Sequence, residues 1–165
     1  MSGLGVGPWA LWLAPSLLLS GCATPRPPTP SAAAPGRWSG LIALRVAQDA
    51  ARSFSARFEL EGSAREGLLE LRTPLGTTAA RVDWSPAGAR LRTPGQPTRQ
   101  AASVDALLEA ATGTALPVAA LFDWLAGVPT PVAGWQPDLS QRAAGRLSAR
   151  RAHPAAEVRL VLEAP

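Results

Sequence analysis

Few residues in this chain could do chemistry of their own. Histidine and cysteine occur once each, as His153 and Cys22, so no second residue of either type can complete a metal site. No Gly-x-Ser-x-Gly nucleophile motif occurs, and the sequence after Cys22 contains no glycine-rich phosphate loop. The clustered carboxylates fall on or between expected hairpin strands, where a solvated face explains them: Glu59, Glu61, Glu66 and Glu70. The sequence therefore predicts no enzymatic activity and no metal site.

The single cysteine ends an apolar N-terminal run. Cys22 follows Leu19-Ser20-Gly21, a spacing that resembles the lipobox of bacterial lipoproteins, in which the signal is cut before the cysteine and the new N-terminus carries lipid. The apolar run is shorter than the roughly 20 residues that span a bilayer, so it fits an export signal better than a transmembrane helix. We predict a signal peptide over residues 1–21 and lipidation at Cys22. The alternative for Cys22 is a buried structural thiol.

The chain divides by composition after the cysteine. Residues 22–36 are rich in proline, a composition typical of extended chain rather than packed structure. At about 3.1 Å per residue this stretch could hold a domain up to roughly 40 Å from a membrane anchor. We interpret it as a tether, and residues 37–165 as one domain without internal repeats.

The distribution of charge along the chain argues against nucleic-acid binding more clearly than it indicates any other function. Sixteen basic residues, all arginine, and 12 acidic residues give a formal charge of +4. The arginines are spread along the chain, whereas nucleic-acid binding favours a basic stripe interleaved with stacking aromatics. We predict no nucleic-acid partner. A small positive excess permits contact with anionic lipid headgroups or with an acidic partner face.

Hydrophobic periodicity predicts a mainly β domain. Phe54, Ala56, Phe58 and Leu60 alternate with polar residues, as in a strand with one buried face, and similar short runs lie before and after it. At least five strands are expected before residue 103, and three after residue 134. An antiparallel sheet that curls around inserted helices fits this order, and it can enclose an apolar cavity.

Helical signals separate the two groups of strands. Ser103 is a suitable N-cap for a helix over residues 104–112, and Gly113 a suitable end. A second short helix is expected to begin at Pro117 and to end at Gly127. Its apolar stripe contains Val118, Leu121, Phe122 and Leu125, with Trp124 on the flank. Core packing is the simplest explanation for this stripe.

One turn between two strands carries an apolar residue at its tip. Pro74 and Gly76 suit the second and fourth positions of a type I turn, which places Leu75 at the tip. The side chain either folds back on the sheet or enters a lipid surface, where each buried CH₂ contributes about 0.8 kcal/mol.

Taken together, the motifs resemble the LolB family of outer-membrane lipoprotein receptors over nearly all of the chain after the cysteine. Besides the lipobox, the segments that carry this resemblance are 38–46, 54–58, 73–77, 121–127 and Gly134-Trp135. The resemblance implies an open antiparallel β-barrel with a helical lid, like those of LolA and LolB, around an apolar cavity. Few residues follow Gly134-Trp135, so we expect the barrel to be shorter or more open on that side.

The resemblance also implies a function. A LolB-like receptor accepts lipoproteins from the periplasmic carrier LolA and inserts them into the outer membrane, as a lipid-anchored monomer that faces the periplasm and uses no cofactor. The family's membrane-inserting turn corresponds to Pro74, Leu75 and Gly76. Phe58, Trp84, Leu121 and Trp124 are candidate cavity-lining residues, although core packing explains each nearly as well. Two alternatives remain open: a lipid-anchored structural or protein-interaction lipoprotein without acyl-chain transfer, and a soluble carrier of the LolA kind, against which Cys22 and the tether argue.

Overall fold

A computed structural model describes residues 36–163. They form one antiparallel sheet of nine strands, with two α-helices inserted between the sixth and the seventh strand. The strands are β1 (Gly36–Val46), β2 (Phe54–Gly62), β3 (Gly67–Arg72), β4 (Thr78–Ser85), β5 (Gly88–Arg92), β6 (Arg99–Ala101), β7 (Trp135–Asp138), β8 (Arg146–Arg151) and β9 (Ala156–Leu162). The helices are α1 (Val104–Thr112) and α2 (Val118–Ala126).

The strand order in space is β6-β5-β4-β3-β2-β1-β9-β8-β7. A meander of six strands therefore runs outward from β1 on one side, and the last three strands pair on its other side. The two helices connect the edge strands β6 and β7. This arrangement confirms a mainly β domain with two helices.

The sheet is open, and the predicted barrel is not confirmed. Within residues 36–163 no ladder joins β6 to β7, which are the two edges of the sheet. Both edge strands are short, and Pro137 in β7 lacks a backbone N–H to donate to a further strand. Edges of this kind resist pairing, so the sheet ends there and does not close.

The strands show the alternation expected from the sequence. In β2, Ala56, Phe58 and Leu60 are buried, whereas Ser55 and Arg57 face solvent. Neighbouring strands place their buried residues on the same face: Ile42 and Leu44 in β1, Val82 and Trp84 in β4, Leu147 and Ala149 in β8, and Val158 and Leu160 in β9. This inner face carries the core, and the opposite outer face carries most of the charged side chains.

The limits of the helices follow from their caps. The Ser103 hydroxyl accepts a hydrogen bond from the Ala106 N–H at 3.2 Å, and Gly113 ends α1 in the left-handed conformation. Both limits of α1 were predicted from the sequence. Pro117 is the N-cap of α2 rather than its first helical residue, and Gly127 ends that helix at a φ of 89°.

The core centres on α2. The Phe122 ring makes edge-to-face contacts with Trp38 and Trp84, with ring centroids 5.4 Å and 6.2 Å apart. Trp124, which the sequence placed at the flank of the apolar stripe, is only 1% exposed. Its indole N–H donates to the Thr130 carbonyl at 2.9 Å, so the segment after α2 covers this side of the helix as well. Burial therefore extends well beyond one stripe.

Residues 36–163 contain their own core and strand pairings. The strand ladders and helix caps of the described region join its residues to one another. Neither of the described helices is both long and apolar enough to span a bilayer.

Candidate functional site

An apolar pocket of about 430 Å³ lies between the inner face of the sheet and the two helices. Buried side chains form its floor: Ile42, Ala56, Val82, Val118, Trp124 and Val158. Half-buried side chains form its walls: Phe54, Leu69, Leu71, Leu91, Leu108, Leu116 and Leu121. This volume lies within the roughly 300–1,000 Å³ typical of small-ligand pockets.

The pocket explains an irregularity in the burial of the sheet. β3 pairs with β2 on one side and β4 on the other, yet none of its residues is fully buried. Leu69 and Leu71 alternate toward the inner face, as Phe58 and Leu60 do in β2, but they line the pocket. Their apolar surface therefore stays available to a ligand.

The exposed part of the lining shows where the pocket opens. Ala51, Arg52, Pro74, Gln96 and Arg99 line it and are exposed to solvent. They lie on or next to the connections β1–β2, β3–β4 and β5–β6, which antiparallel pairing brings to one end of the sheet. We call this end, which also holds the β8–β9 turn with its exposed His153, the mouth end. The opposite end is the far end.

The Leu75 turn projects from the mouth end. The Gly76 N–H donates to the Thr73 carbonyl and the Thr73 N–H donates to the Thr77 carbonyl, both at 2.9 Å, so the turn closes on itself. Gly76 has a φ of 83°, a conformation that glycine adopts without strain. Leu75 is 92% exposed, so its side chain does not fold back on the sheet. Pro74, its neighbour, lines the pocket, which places the exposed leucine beside the mouth.

The predicted site residues occupy different places. Leu121 and Trp124 line the pocket, whereas Phe58 and Trp84 are buried in the core and do not. Cys22, the predicted signal peptide and most of the tether lie outside the described residues. The arginines at the mouth were not picked out from the sequence, because they are separated along the chain and only the pairing of the strands brings them together.

The two ends of the sheet differ in charge. Counted over the connections and two strand residues on each side, the mouth end contains Arg45, Arg52, Arg72, Arg92, Arg99, Arg150 and Arg151, but only Asp49 and Glu157 as carboxylates. The same count at the far end, including the start of β1 and the end of β9, finds Arg37, Arg65, Arg142 and Arg146 against Glu61, Glu66, Asp138 and Glu163, so this end carries no net charge. The pocket thus opens at a basic end.

Two ion-pair groups on the outer face lower carboxylate pKa values. Arg72 donates to Glu70 at 2.8 Å, and this hydrogen bond holds the pKa of Glu70 below its ordinary value. The Glu157 pKa is lowered in the same way, chiefly by a hydrogen bond from Arg150 at 2.8 Å. Both glutamates are ionised at neutral pH, and they neutralise the arginines that they hold.

The buried polar side chains of the described region form hydrogen bonds within the protein. No group of three or more His, Cys, Asp or Glu side chains in residues 36–163 could hold a metal ion, and every buried side-chain polar atom there has a hydrogen-bond partner. The pocket therefore offers a ligand mainly apolar surface, with polar groups at the mouth. These features define a class of mainly β domain, in which helices cover one face of an open antiparallel sheet around an apolar pocket.

Comparison with known proteins places the chain within that class. The family model for the outer membrane lipoprotein LolB matches residues 37–159. The chain is 41% identical over 128 residues to the outer-membrane lipoprotein LolB of Cupriavidus pinatubonensis, covering 73% of this chain and 61% of the relative. It is 40% identical over 122 residues to the protein of that name from Ralstonia nicotianae, covering 69% and 58%. The chain belongs to the LolB family.

A third relative, the outer-membrane lipoprotein LolB of Bordetella petrii, is 38% identical over 122 residues and covers 70% of this chain. These alignments span only about three fifths of the length of each relative, 58–61%.

Proposed function

We propose that this protein is an outer-membrane lipoprotein receptor, which accepts lipoproteins from a periplasmic carrier of the LolA kind and inserts them into the outer membrane. The observation that carries the proposal is an apolar pocket that opens beside the 92% exposed Leu75. Membership of the LolB family and the names of the relatives support it.

In this proposal the pocket receives acyl chains. Its lining is mostly aliphatic, and burying apolar surface contributes about 25 cal/mol for each Å² removed from water. Arg52, Gln96 and Arg99 stand at the rim, where the polar end of a lipid would remain in water. The helices and the curled sheet would then act as an incomplete barrel with a lid around the bound chains.

Transfer follows from relative affinity alone, without a cofactor and without a covalent step. The pocket holds acyl chains more favourably than the carrier does, and the bilayer, which buries whole chains, holds them more favourably still. Cargo therefore moves downhill from carrier to receptor to membrane.

Leu75 lowers the last barrier by bringing the mouth of the pocket to the lipid surface. Its side chain is free to enter a bilayer because it makes up the tip of a closed turn. Complete burial of a leucine contributes about 1.5–3 kcal/mol, enough for transient contact but not for permanent insertion. Lipid on Cys22 would supply the permanent anchor, and residues 22–36 would supply the length of chain between that anchor and the domain.

The test is a two-step transfer assay with radiolabelled lipoprotein on its carrier, the purified protein, and liposomes. We expect Leu75→Glu to accept cargo like the unmodified protein but to insert it much more slowly, because a charged tip cannot enter the bilayer. Its stability should change by less than about 0.5 kcal/mol, as is usual for exposed positions.

The matched control is Leu41→Glu, which places the same change on the outer face of β1, where the leucine is 47% exposed. It should behave like the unmodified protein in both steps. Equal loss of acceptance and insertion in Leu75→Glu would contradict the role of the turn. If no cargo leaves the carrier even for the unmodified protein, the receptor function is wrong and a lipid-anchored interaction protein is the better account.

A further inference from the structure

Only part of the positive charge at the mouth end is neutralised by ion pairs within the described region. Arg52, Arg72, Arg92 and Arg150 each lie within 4 Å of a carboxylate of this chain. Arg45 and Arg99 are exposed and make no ion pair with any carboxylate in residues 36–163. The positive charges of these two guanidinium groups are therefore not neutralised by an ion pair within the described region.

Both arginines lie at the same end of the sheet as the exposed leucine. Arg99 lines the mouth of the pocket at the start of β6, and Arg45 lies near the end of β1 beside a wider depression of about 730 Å³. The connections that carry Leu75 and Arg99 leave the same end of the sheet, as does the β1–β2 connection next to Arg45.

An apolar tip among basic side chains has the composition of an interfacial membrane anchor. Apolar groups enter the acyl boundary, while arginines remain at the level of the headgroup phosphates. By the same count the far end has no net charge, and it has no exposed leucine at a turn tip in the described region. An acidic protein face would match the arginines but would leave Leu75 without a role.

We propose that the mouth end is a docking surface for anionic phospholipid, in which Arg45 and Arg99 bind headgroup phosphates while Leu75 enters the acyl region. The proposal rests on the proposed function only for the idea that this end meets a membrane. It adds the class of lipid and the residues that select it. The attraction is electrostatic, so it weakens as salt shortens the Debye length.

The experiment measures binding of a chain that begins at Ala23, and so carries no lipid, to two kinds of vesicle. One kind is phosphatidylcholine alone, and the other is an equimolar mixture of phosphatidylcholine and phosphatidylglycerol. Each arginine close to an anionic surface contributes about fivefold in partitioning. The double variant Arg45→Gln/Arg99→Gln should therefore lose roughly 25-fold in binding to the mixed vesicles, with little change on phosphatidylcholine.

The matched control is Arg65→Gln/Arg146→Gln, which removes the same net charge from two exposed arginines at the far end that also lack ion pairs in the described region. It should keep the preference for anionic vesicles. Leu75→Ser should weaken binding to both kinds of vesicle alike, and raised salt should reduce the preference of the unmodified chain.

Two results would overturn the proposal. If both double variants lose binding equally, net charge rather than a local surface accounts for it. If Arg45→Gln/Arg99→Gln binds vesicles normally but takes up cargo poorly, the arginines face the carrier instead. Because vesicle binding needs no cargo, the result stands whether or not the chain accepts lipoproteins, and failure of the proposed function is detected separately.

Discussion

Two regions on the same face of the sheet differ in how tightly they are packed. Beneath α2, Phe122 is held between Trp38 and Trp84, and Leu125 is completely buried. Beside α1, Leu108 and Ala111 face Leu69 and Leu71 across a pocket of about 430 Å³. The first region is packed as a core, and the second leaves apolar surface without a protein partner.

The hydrogen bonds divide in the same way. Two side-chain hydrogen bonds hold the C-terminal half of α2. The indole N–H of Trp124 donates to the Thr130 carbonyl at 2.9 Å, and Arg142 donates to the Leu125 carbonyl at 2.7 Å. In α1, the Asp105 carboxylate at the N-terminal end of the helix accepts a hydrogen bond from the Val118 N–H of α2. The packed core thus surrounds Phe122 and Leu125 of α2, whereas the apolar surface available for binding lies between the sheet, α1 and the α2 residues Val118, Leu121 and Trp124.

The largest expected effect is the loss of stability from a substitution in the packed region beneath α2. Phe122→Ala should destabilise the domain by about 3–5 kcal/mol, because it removes a ring from between two tryptophans and leaves a cavity. Leu71→Ala, a deletion in the wall of the pocket, should cost only about 1–2 kcal/mol, because the leucine is only partly buried and borders empty space. Urea unfolding of both variants measures the difference. Similar losses in the two variants would mean that the pocket region is as tightly packed as the core.

A second change fills the pocket and leaves the core alone. Ala80 lines the pocket opposite Leu71 in the β3–β4 ladder. Ala80→Phe should weaken binding of a fluorescent fatty acid by at least about tenfold, since two excluded CH₂ groups at about 0.8 kcal/mol each suffice. Its stability should change little, because the ring enters empty space.

The control for this change is Ala43→Phe, at a half-buried alanine on the outer face of β1. It adds the same ring to a strand without entering the pocket and should leave probe binding unchanged. Equal weakening in both variants would show that the probe binds elsewhere.

The smallest expected effect is acid sensitivity, which the two regions share. Glu70 lies on the outer face of β3 behind the pocket, and Glu157 lies on β9 behind the core. Both pKa values are below the ordinary 4.5, so their stabilisation is complete above that pH and is lost as pH falls through the lowered values.

Urea midpoints should therefore stay level from neutral pH to about 4.5 and fall below it. Glu70→Gln and Glu157→Gln should each remove a small part of that fall, because the partner arginines are exposed and solvent screens the pairs. An unchanged acid profile in both variants would assign the fall to other carboxylates.

Features with a short-range cause were predicted from the sequence. The alternation in β2, the caps Ser103 and Gly113, and the turn with Leu75 at its tip each depend on a few neighbouring residues. Three features were not predicted: the deep burial of Trp124, the half-buried β3 and the basic mouth end. Each of these depends on residues that are distant in the sequence and meet only in the folded sheet.

Periodicity, capping and turn chemistry act within a few residues of the chain, so most of the strands, both helices and the turn with Leu75 at its tip follow from the sequence alone. Whether the sheet closes depends on the length and the pairing capacity of two edge strands, and here β6 and β7 leave it open. Which leucines fill the core and which line a pocket depends on what the opposite element places against them. Tertiary packing sets this division, because burial is a property of both partners in a contact and not of either sequence segment alone.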